Sequence, residues 1–495
     1  MLNTKITISS FLALLMLIPA IALFLFLFHI PNDMANSSTV WFLSVLGWGV
    51  YLFCLYVWKR KTGQLFCPYI IFFSFAFVFH YGQCLMWAFN IHLENEIGTK
   101  LLYGSIVAGV PYLRDIIRTQ VLCLMGLYAF HCGALLVSKR DTSNKSDKMN
   151  IYQFNNKPIN VIYGRILLAV SIVSFLISMP LSFYDELQAF FLNQQYGYGA
   201  SLYGGFDNSF IHWSRLLSWL YFPSMIGLLI GSNYRLRYRV IVYVSFLLYS
   251  LLSFGAGDRG TVLYTACFLI WAHHYFYKHI NWKKFLVLLI CALFVIQLFV
   301  GIRNIRSEGV SLAGLTEAIM LEKNPLVSAF FEMGSTMSVV IILLKSGWNI
   351  YPFGNTYLLA IPGMITDKIM LFFIPNYSNI SGWFSQTYLN ISFGAGFSMI
   401  GEALINFGPY CSLLVLFILG IICSKLMYIC LTKSTNLLFM FFQISTARML
   451  VSMCRDQILV GLKTWFFSTF LFCLFIYLLG QLQIKRIPYR GKNNE

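Results

Sequence analysis

Three arginines, Arg259, Arg303 and Arg306, and two glutamates, Glu332 and Glu402, stand in or beside stretches that are otherwise almost wholly apolar. A charge in such a place costs about 2.5–3.5 kcal/mol on insertion scales, so each one is informative. Guanidinium groups grip phosphate or diphosphate oxygens through forked hydrogen bonds. Arg303 and Arg306 are three residues apart and share one face if the chain there is helical. Arg259 sits in Gly255-Ala256-Gly257-Asp258-Arg259-Gly260, where the glycines allow a tight turn between two apolar stretches. The competing reading is that these side chains snorkel to ordinary lipid phosphates. Three of them on the side where positive charge is normally depleted favour a dedicated anion site.

The glutamates suggest proton transfer. Glu332 lies in Phe330-Phe331-Glu332-Met333-Gly334-Ser335, and helical spacing places Ser335 and Thr336 beside it. Glu402 lies in Gly401-Glu402-Ala403-Leu404-Ile405-Asn406-Phe407-Gly408. A carboxylate in apolar surroundings gains basicity, so both are candidate bases. Equally, either one could be a structural carboxylate paired with an arginine. Arg215, with His212 on the same end of its span, and Asp258, Arg448 and Arg455 are candidates for supporting roles; Asp456 adjoins the last. The other histidines are scattered. There is no metal-ligand spacing, no Asp-x-Asp pair and no Gly-rich phosphate loop, so no metal site or other cofactor is expected.

These residues must be held by membrane helices. At 58% hydrophobic and 11% charged residues, the composition excludes a soluble fold. Apolar stretches of spanning length lie near 6–30, 40–58, 66–89, 120–138, 161–184, 210–232, 240–255, 261–277, 285–301, 408–431, 436–453 and 458–480. The expected fold is all-α and polytopic: one membrane-embedded domain over 1–495 with about 12 transmembrane helices. The first stretch is too long for a signal peptide and has no small-residue cleavage site after it. Segment 302–407 is too long for a plain connection and reads as one long extracytoplasmic loop. Inside it, 326–344 and 357–375 are apolar but carry Glu332, or Asp367 and Lys368, which favours re-entrant or membrane-resting helices. Counting both as spans instead gives fourteen with the same orientation.

The net charge of +17 points to the positive-inside rule, not to nucleic acid. Lys59, Arg60, Lys61, Lys145, Lys148, Arg235, Arg237, Arg239, Lys283, Lys425 and Arg486 fall in one set of loops. Asp33, Glu94, Glu96, Asp185, Glu186 and Asp207 fall in the alternate set. The alternation implies that both termini are cytoplasmic. The cysteines lie in or beside apolar spans and read as packing residues.

Three segments in order resemble the bacterial O-antigen or capsule repeat-unit polymerases, the Wzy-type integral membrane glycosyltransferases. They are Gly257–Gly260 before a span, the Gly301-Ile302-Arg303-Asn304-Ile305-Arg306 run that opens the long loop with Phe331-Glu332-Met333-Gly334, and Phe393-Gly394-Ala395-Gly396-Phe397 leading to Gly401-Glu402 and Asn406-Phe407-Gly408. The similarity runs from about Asp207 to Asp456. The resemblance implies a substrate: oligosaccharide on undecaprenyl diphosphate, polymerised at the outer face of the bacterial cytoplasmic (inner) membrane. It also implies membrane-lipid contacts and, as partners, a chain-length regulator and a flippase. Arginines would stabilise the leaving diphosphate and a carboxylate would take the acceptor proton, with no metal required. The related O-antigen ligases rely on a histidine in their large outer loop, and 302–407 contains none, which favours the polymerase. A flippase for the same lipid-linked sugar fits the span count equally well. Buried charges displaced toward one side argue against it, because alternating access places charges near the midplane.

Overall fold

The computed structural model describes residues 8–93, 96–97, 110–138, 158–196, 209–256, 258–278, 280–281, 325–391, 395–428 and 436–486. Helix makes up 82% of the structure, and the described residues contain no strand. In chain order the helices are α1 Ile8–Leu15, α2 Leu17–Phe28, α3 Ser37–Thr62, α4 Pro68–Trp87, α5 Leu113–Val137, α6 Pro158–Tyr196, α7 Ser209–Ser218, α8 Tyr221–Gly231 and α9 Leu236–Ala256. They continue as α10 Arg259–Phe276, α11 Pro325–Gly334, α12 Met337–Ser346, α13 Thr356–Gly363, α14 Asp367–Phe373, α15 Met399–Met427, α16 Leu437–Leu450, α17 Ile458–Trp465 and α18 Leu471–Arg486.

Local sequence explains several boundaries. The Asn36 side chain accepts from Thr39 N–H at 2.8 Å and starts α3. Gly63, at φ 82°, ends it just past Lys59, Arg60 and Lys61, cations suited to a helix C-terminus. Pro68 opens α4 at the position that needs no N–H.

Ten helical stretches among the described residues are long and apolar enough to cross a membrane by length and composition. The expected span at 210–232 forms as two helices, α7 and α8, and the one at 261–277 forms as α10. The one at 285–301 lies outside the described residues. The span expected at 161–184 belongs to a longer helix. α6 has 39 residues, or about 58 Å at 1.5 Å per residue, against about 30 Å of hydrocarbon.

Burial separates centre from rim. The spans in α4 and α5 are 89% buried, whereas that in α9 is 28% buried and presents its side to lipid. The centre is aromatic: Tyr69, Phe72, Phe73, Phe77, Phe79 and Tyr81 of α4 are each at most 1% exposed. α5 and α15 touch backbone to backbone. A Cβ on Gly133 would stand 1.9 Å from the Phe417 carbonyl, and one on Gly420 1.9 Å from that of Phe130. Small residues permit such contact between membrane helices, where dispersion and not water drives association.

The basic loop ends gather at one end of the bundle. Trp271 Nε1 donates to the Phe66 carbonyl at 3.1 Å, and Trp58 packs edge-on against Tyr428 at 5.3 Å. The far end holds the opposite termini of these helices.

α15 is a hairpin, not one span. Gly408 has φ 71° and ψ 177°, outside the helical region, and Pro409 follows it. A Cβ on Gly126 of α5 would meet Leu416 at 2.8 Å and Ile400 at 3.7 Å. In a straight helix residues 400 and 416 would be about 24 Å apart. Both can reach one point only if the chain doubles back at Gly408. The short arm, 399–407, runs beside α12: a Cβ on Gly401 would meet Val339 and Leu343, and one on Gly408 would meet Trp348. Glu402 therefore hangs about 9 Å down the arm from the bend.

The two apolar segments of the long loop differ. 326–344 becomes α11 and α12, one of the ten candidate spans, 61% buried. 357–375 becomes the short helices α13 and α14, with Leu358, Ile361, Phe372 and Phe373 between 63% and 82% exposed.

Candidate active site

Glu402 is the knot between three segments. Ser398 caps the short arm, its Oγ accepting from Gly401 N–H at 2.7 Å. One turn on, Glu402 is 2% exposed. Its Oε1 accepts from Thr356 Oγ1 at 2.7 Å, and its Oε2 accepts from Ile458 N–H at 2.6 Å. Asn406 completes the ring. Its Nδ2 donates to Thr356 Oγ1 at 2.8 Å and to the Glu402 carbonyl at 2.7 Å. Its Oδ1 accepts from Thr356 N–H at 2.8 Å. The carboxylate thus joins the short arm to the first residues of α13 and α17. The positive end of the α17 dipole offsets part of its charge.

The turn before α17 holds a second carboxylate. Asp456 is half-buried. Its Oδ1 accepts from Ser381 Oγ and from Gln457 N–H, the latter at 2.8 Å. Gln457 Nε2 donates to Asn379 Oδ1 at 2.9 Å, and Asn379 also caps the helical turn at Ile380–Gly382 by accepting from Gly382 N–H at 2.9 Å. Arg455, beside Asp456, is exposed. Its carbonyl accepts from Phe397 N–H at 2.9 Å. Gly396 makes that approach at φ 70°, where a Cβ would lie 3.0 Å from the Arg455 carbonyl oxygen. Burial pushes the Asp456 carboxyl up from the usual carboxylate range, against the opposing pull of Ser381, the Gln457 N–H and Arg455.

An aromatic wall borders this network. Trp383 stacks on Tyr388 at 5.3 Å and meets Tyr351 edge-on at 5.3 Å. Tyr351 donates to the Ser378 carbonyl at 2.7 Å, and Phe353 bridges Tyr351 and Tyr377. Burial raises the Tyr351 and Tyr357 phenols, which therefore act here as neutral groups.

The expected site residues divide. α9 ends at Ala256 and α10 begins at Arg259, with Asp258 Oδ1 accepting from Thr261 N–H at 3.1 Å to cap α10; Gly257 lies outside the described residues. Arg259 is the first residue of α10, but its side chain lies outside the described residues, as do Arg303 and Arg306 altogether. Arg448 Nε donates to Thr265 Oγ1 at 2.9 Å, and its guanidinium lies 5.8 Å from the Phe222 ring and 6.0 Å from that of Tyr264. Arg455 also lies within electrostatic reach of Tyr264. Arg215 is exposed on α7 near Asp185, apart from Glu402; the side chain of His212, one turn earlier, is not described.

Glu332 departs from expectation. It is exposed on α11 and not sunk in apolar surroundings. Ser335 Oγ donates to the Glu332 carbonyl at 2.6 Å instead of solvating the carboxylate. The reason is helical phase: neighbouring Phe331 faces α4, where its carbonyl accepts from Gln83 Nε2 at 2.8 Å, and Glu332 is turned away. Glu402 matches expectation in burial but not in pairing, since hydroxyl and backbone donors hold it.

Thr356, Asn379, Ser381 and Gln457 were not legible as site residues. Asn379-Ile380-Ser381 looks like a glycosylation triplet, and only the fold brings it to Asp456. Among the described residues no three His, Cys, Asp or Glu side chains gather as metal ligands would.

Two surface hollows lie elsewhere. One, about 590 Å³, is lined by Arg165, Ile166 and Leu482; the other, about 690 Å³, is lined by Trp41, Trp87, His92 and Glu96. They follow surface shape alone. The convergence of carboxylates, an arginine and hydroxyls at 402 and 455–457 is the stronger chemical indicator.

The family model for O-antigen polysaccharide polymerase Wzy matches residues 6–486, nearly the whole chain. No curated protein and no solved structure matches it.

Proposed function

We propose, for a chain that belongs to the O-antigen polysaccharide polymerase Wzy family, that it joins oligosaccharide repeat units carried on undecaprenyl diphosphate. The reaction takes place at the outer face of the cytoplasmic membrane, which is the far end of the bundle. A growing chain is transferred from one lipid diphosphate to a sugar hydroxyl of a single lipid-linked unit. Arg259, Arg303 and Arg306 hold the diphosphate and offset the charge that develops on it as the glycosidic bond breaks. A carboxylate receives the acceptor proton.

The observation that supports this reading is one-sidedness. Asp456 and Arg455 follow the end of α16 that lies away from its basic loop, and hydrogen bonds join their turn to Glu402 on the fold-back arm. A polymerase that meets substrate already delivered across the membrane needs its chemistry on one side only.

The test is a strain deleted for this chain. Surface glycan reduced to single repeat units, with long chains restored by the intact gene, supports polymerisation. Loss of all surface glycan would point to export instead.

A further inference from the structure

We infer that Asp456 is the catalytic base that takes the proton from the acceptor sugar hydroxyl, and that Glu402 is the brace that positions its turn. This rests on the polymerase reading above. A base needs one oxygen fixed in direction and another open to substrate. Glu402 fails that requirement: both its oxygens are occupied and it is 2% exposed. Asp456 meets it. Ser381 and the Gln457 N–H both bond Oδ1, and Oδ2 takes no hydrogen bond from any described residue.

The surroundings fit a sugar. Asn379, Ser381 and Gln457 form a neutral hydrogen-bonded set beside Asp456. Tyr351, which donates to the Ser378 carbonyl, and Tyr388 are part-exposed around the buried Trp383, and exposed ring faces suit the C–H faces of pyranoses. Arg455 places an exposed cation next to the carboxylate.

The step balances without a further reactant. The acceptor oxygen forms a bond to the anomeric carbon of the donor. The bond from that carbon to the diphosphate oxygen breaks, and its electron pair leaves with the lipid diphosphate. The hydroxyl proton passes to Asp456 Oδ2 and later to water.

Several charged or titratable groups face the turn. Arg455 on the turn favours the ionised form of Asp456. Glu402, on the short arm of α15, lies within electrostatic reach and opposes it. Tyr264 and Arg448, from α10 and α16, lie behind Arg455, and Tyr351 lies toward Glu402. The Ser381 hydroxyl stabilises the carboxylate and lowers its pKa, so its removal raises that pKa. The acid limb of the rate profile then moves to higher pH.

The experiment uses membrane vesicles carrying the full chain and lipid-linked repeat units extracted from the deletion strain. Asp456→Asn should lower the polymerisation rate about 10²–10⁴-fold, while Asp456→Glu restores part of it. Ser381→Ala should shift the acid limb upward with the chain still inserted and active. A wild-type rate for Asp456→Asn, or an unmoved limb for Ser381→Ala, overturns the assignment and leaves the polymerase reading standing. If wild-type vesicles do not extend the lipid-linked units at all, the polymerase reading falls and this inference falls with it.

Discussion

Replacing Glu402 by glutamine or by alanine separates a brace from a base. Alanine leaves the Ile458 N–H and the Thr356 hydroxyl without their acceptor at a site that is 2% exposed. Each unsatisfied group costs about 1–3 kcal/mol, so the loss is roughly 2–6 kcal/mol. Glutamine keeps an oxygen for Ile458 N–H. Its amide can donate to Thr356 Oγ1, which already accepts from Asn406 Nδ2 but has a second lone pair. What is lost is the charged acceptor of the Ile458 N–H and the acceptor of the Thr356 O–H, together about 1–3 kcal/mol. Heat stability in detergent should therefore fall in the order wild type, Glu402→Gln, Glu402→Ala. Polymerisation by the Gln variant should stay within about tenfold of wild type, since a brace keeps its shape while a lost base costs about 10²–10⁴. Thr356→Val combined with Glu402→Gln should be less than additive, because the two share one bond. A Gln variant as stable as wild type but more than a hundredfold slower would refute this reasoning and make Glu402 the base.

Gly408→Ala should lower heat stability by about 1–3 kcal/mol, because φ 71° with ψ 177° is open only to glycine. A Cβ there also meets Trp348 Nε1 at 3.1 Å; unfolding at the wild-type temperature would refute the hairpin. Alanine at Arg259, Arg303 or Arg306 should each cost roughly tenfold or more in rate, and lysine should rescue poorly because it lacks the fork. Wild-type rates in all three alanine variants, normally inserted, would remove the diphosphate assignment. Asn376→Cys should react with an impermeant thiol reagent added to intact cells and Lys148→Cys should not; labelling at 148 would overturn the orientation.

The helical class was legible because span length is a property of composition. Apolar runs of about 20 residues leave the backbone few choices in lipid. The start of α10 was legible for a similar reason, since glycines followed by Asp258 spell a helix break and a cap. The fold-back at Gly408 was not. A Gly-Pro pair at 408–409 reads as the start of the next span, and only the shared contact at Gly126 shows that residues 400 and 416 meet. The face of Glu332 was also hidden, because a helix that is apolar nearly all round has no phase for the sequence to reveal. Asp456 was hidden differently. Next to Arg455 it looks like half of a neutralised pair, whereas its partner Ser381 is 75 residues away.

That pairing has a consequence for catalysis. An enzyme that handles a diphosphate needs cations its own carboxylates have not neutralised. Glu402 is held by a hydroxyl and a backbone N–H, and Asp456 likewise. Neither makes an ion pair with a described lysine or arginine; the pair seen among the described residues is His92 with Glu96, at another corner. Arg448 bonds the Thr265 hydroxyl rather than a carboxylate and lies between two rings. Neutral donors can fix a carboxylate in place without offsetting the local field of an arginine. Drawing an existing arginine into those bonds instead would hold the same backbone while reducing the positive potential that arginine offers an incoming diphosphate.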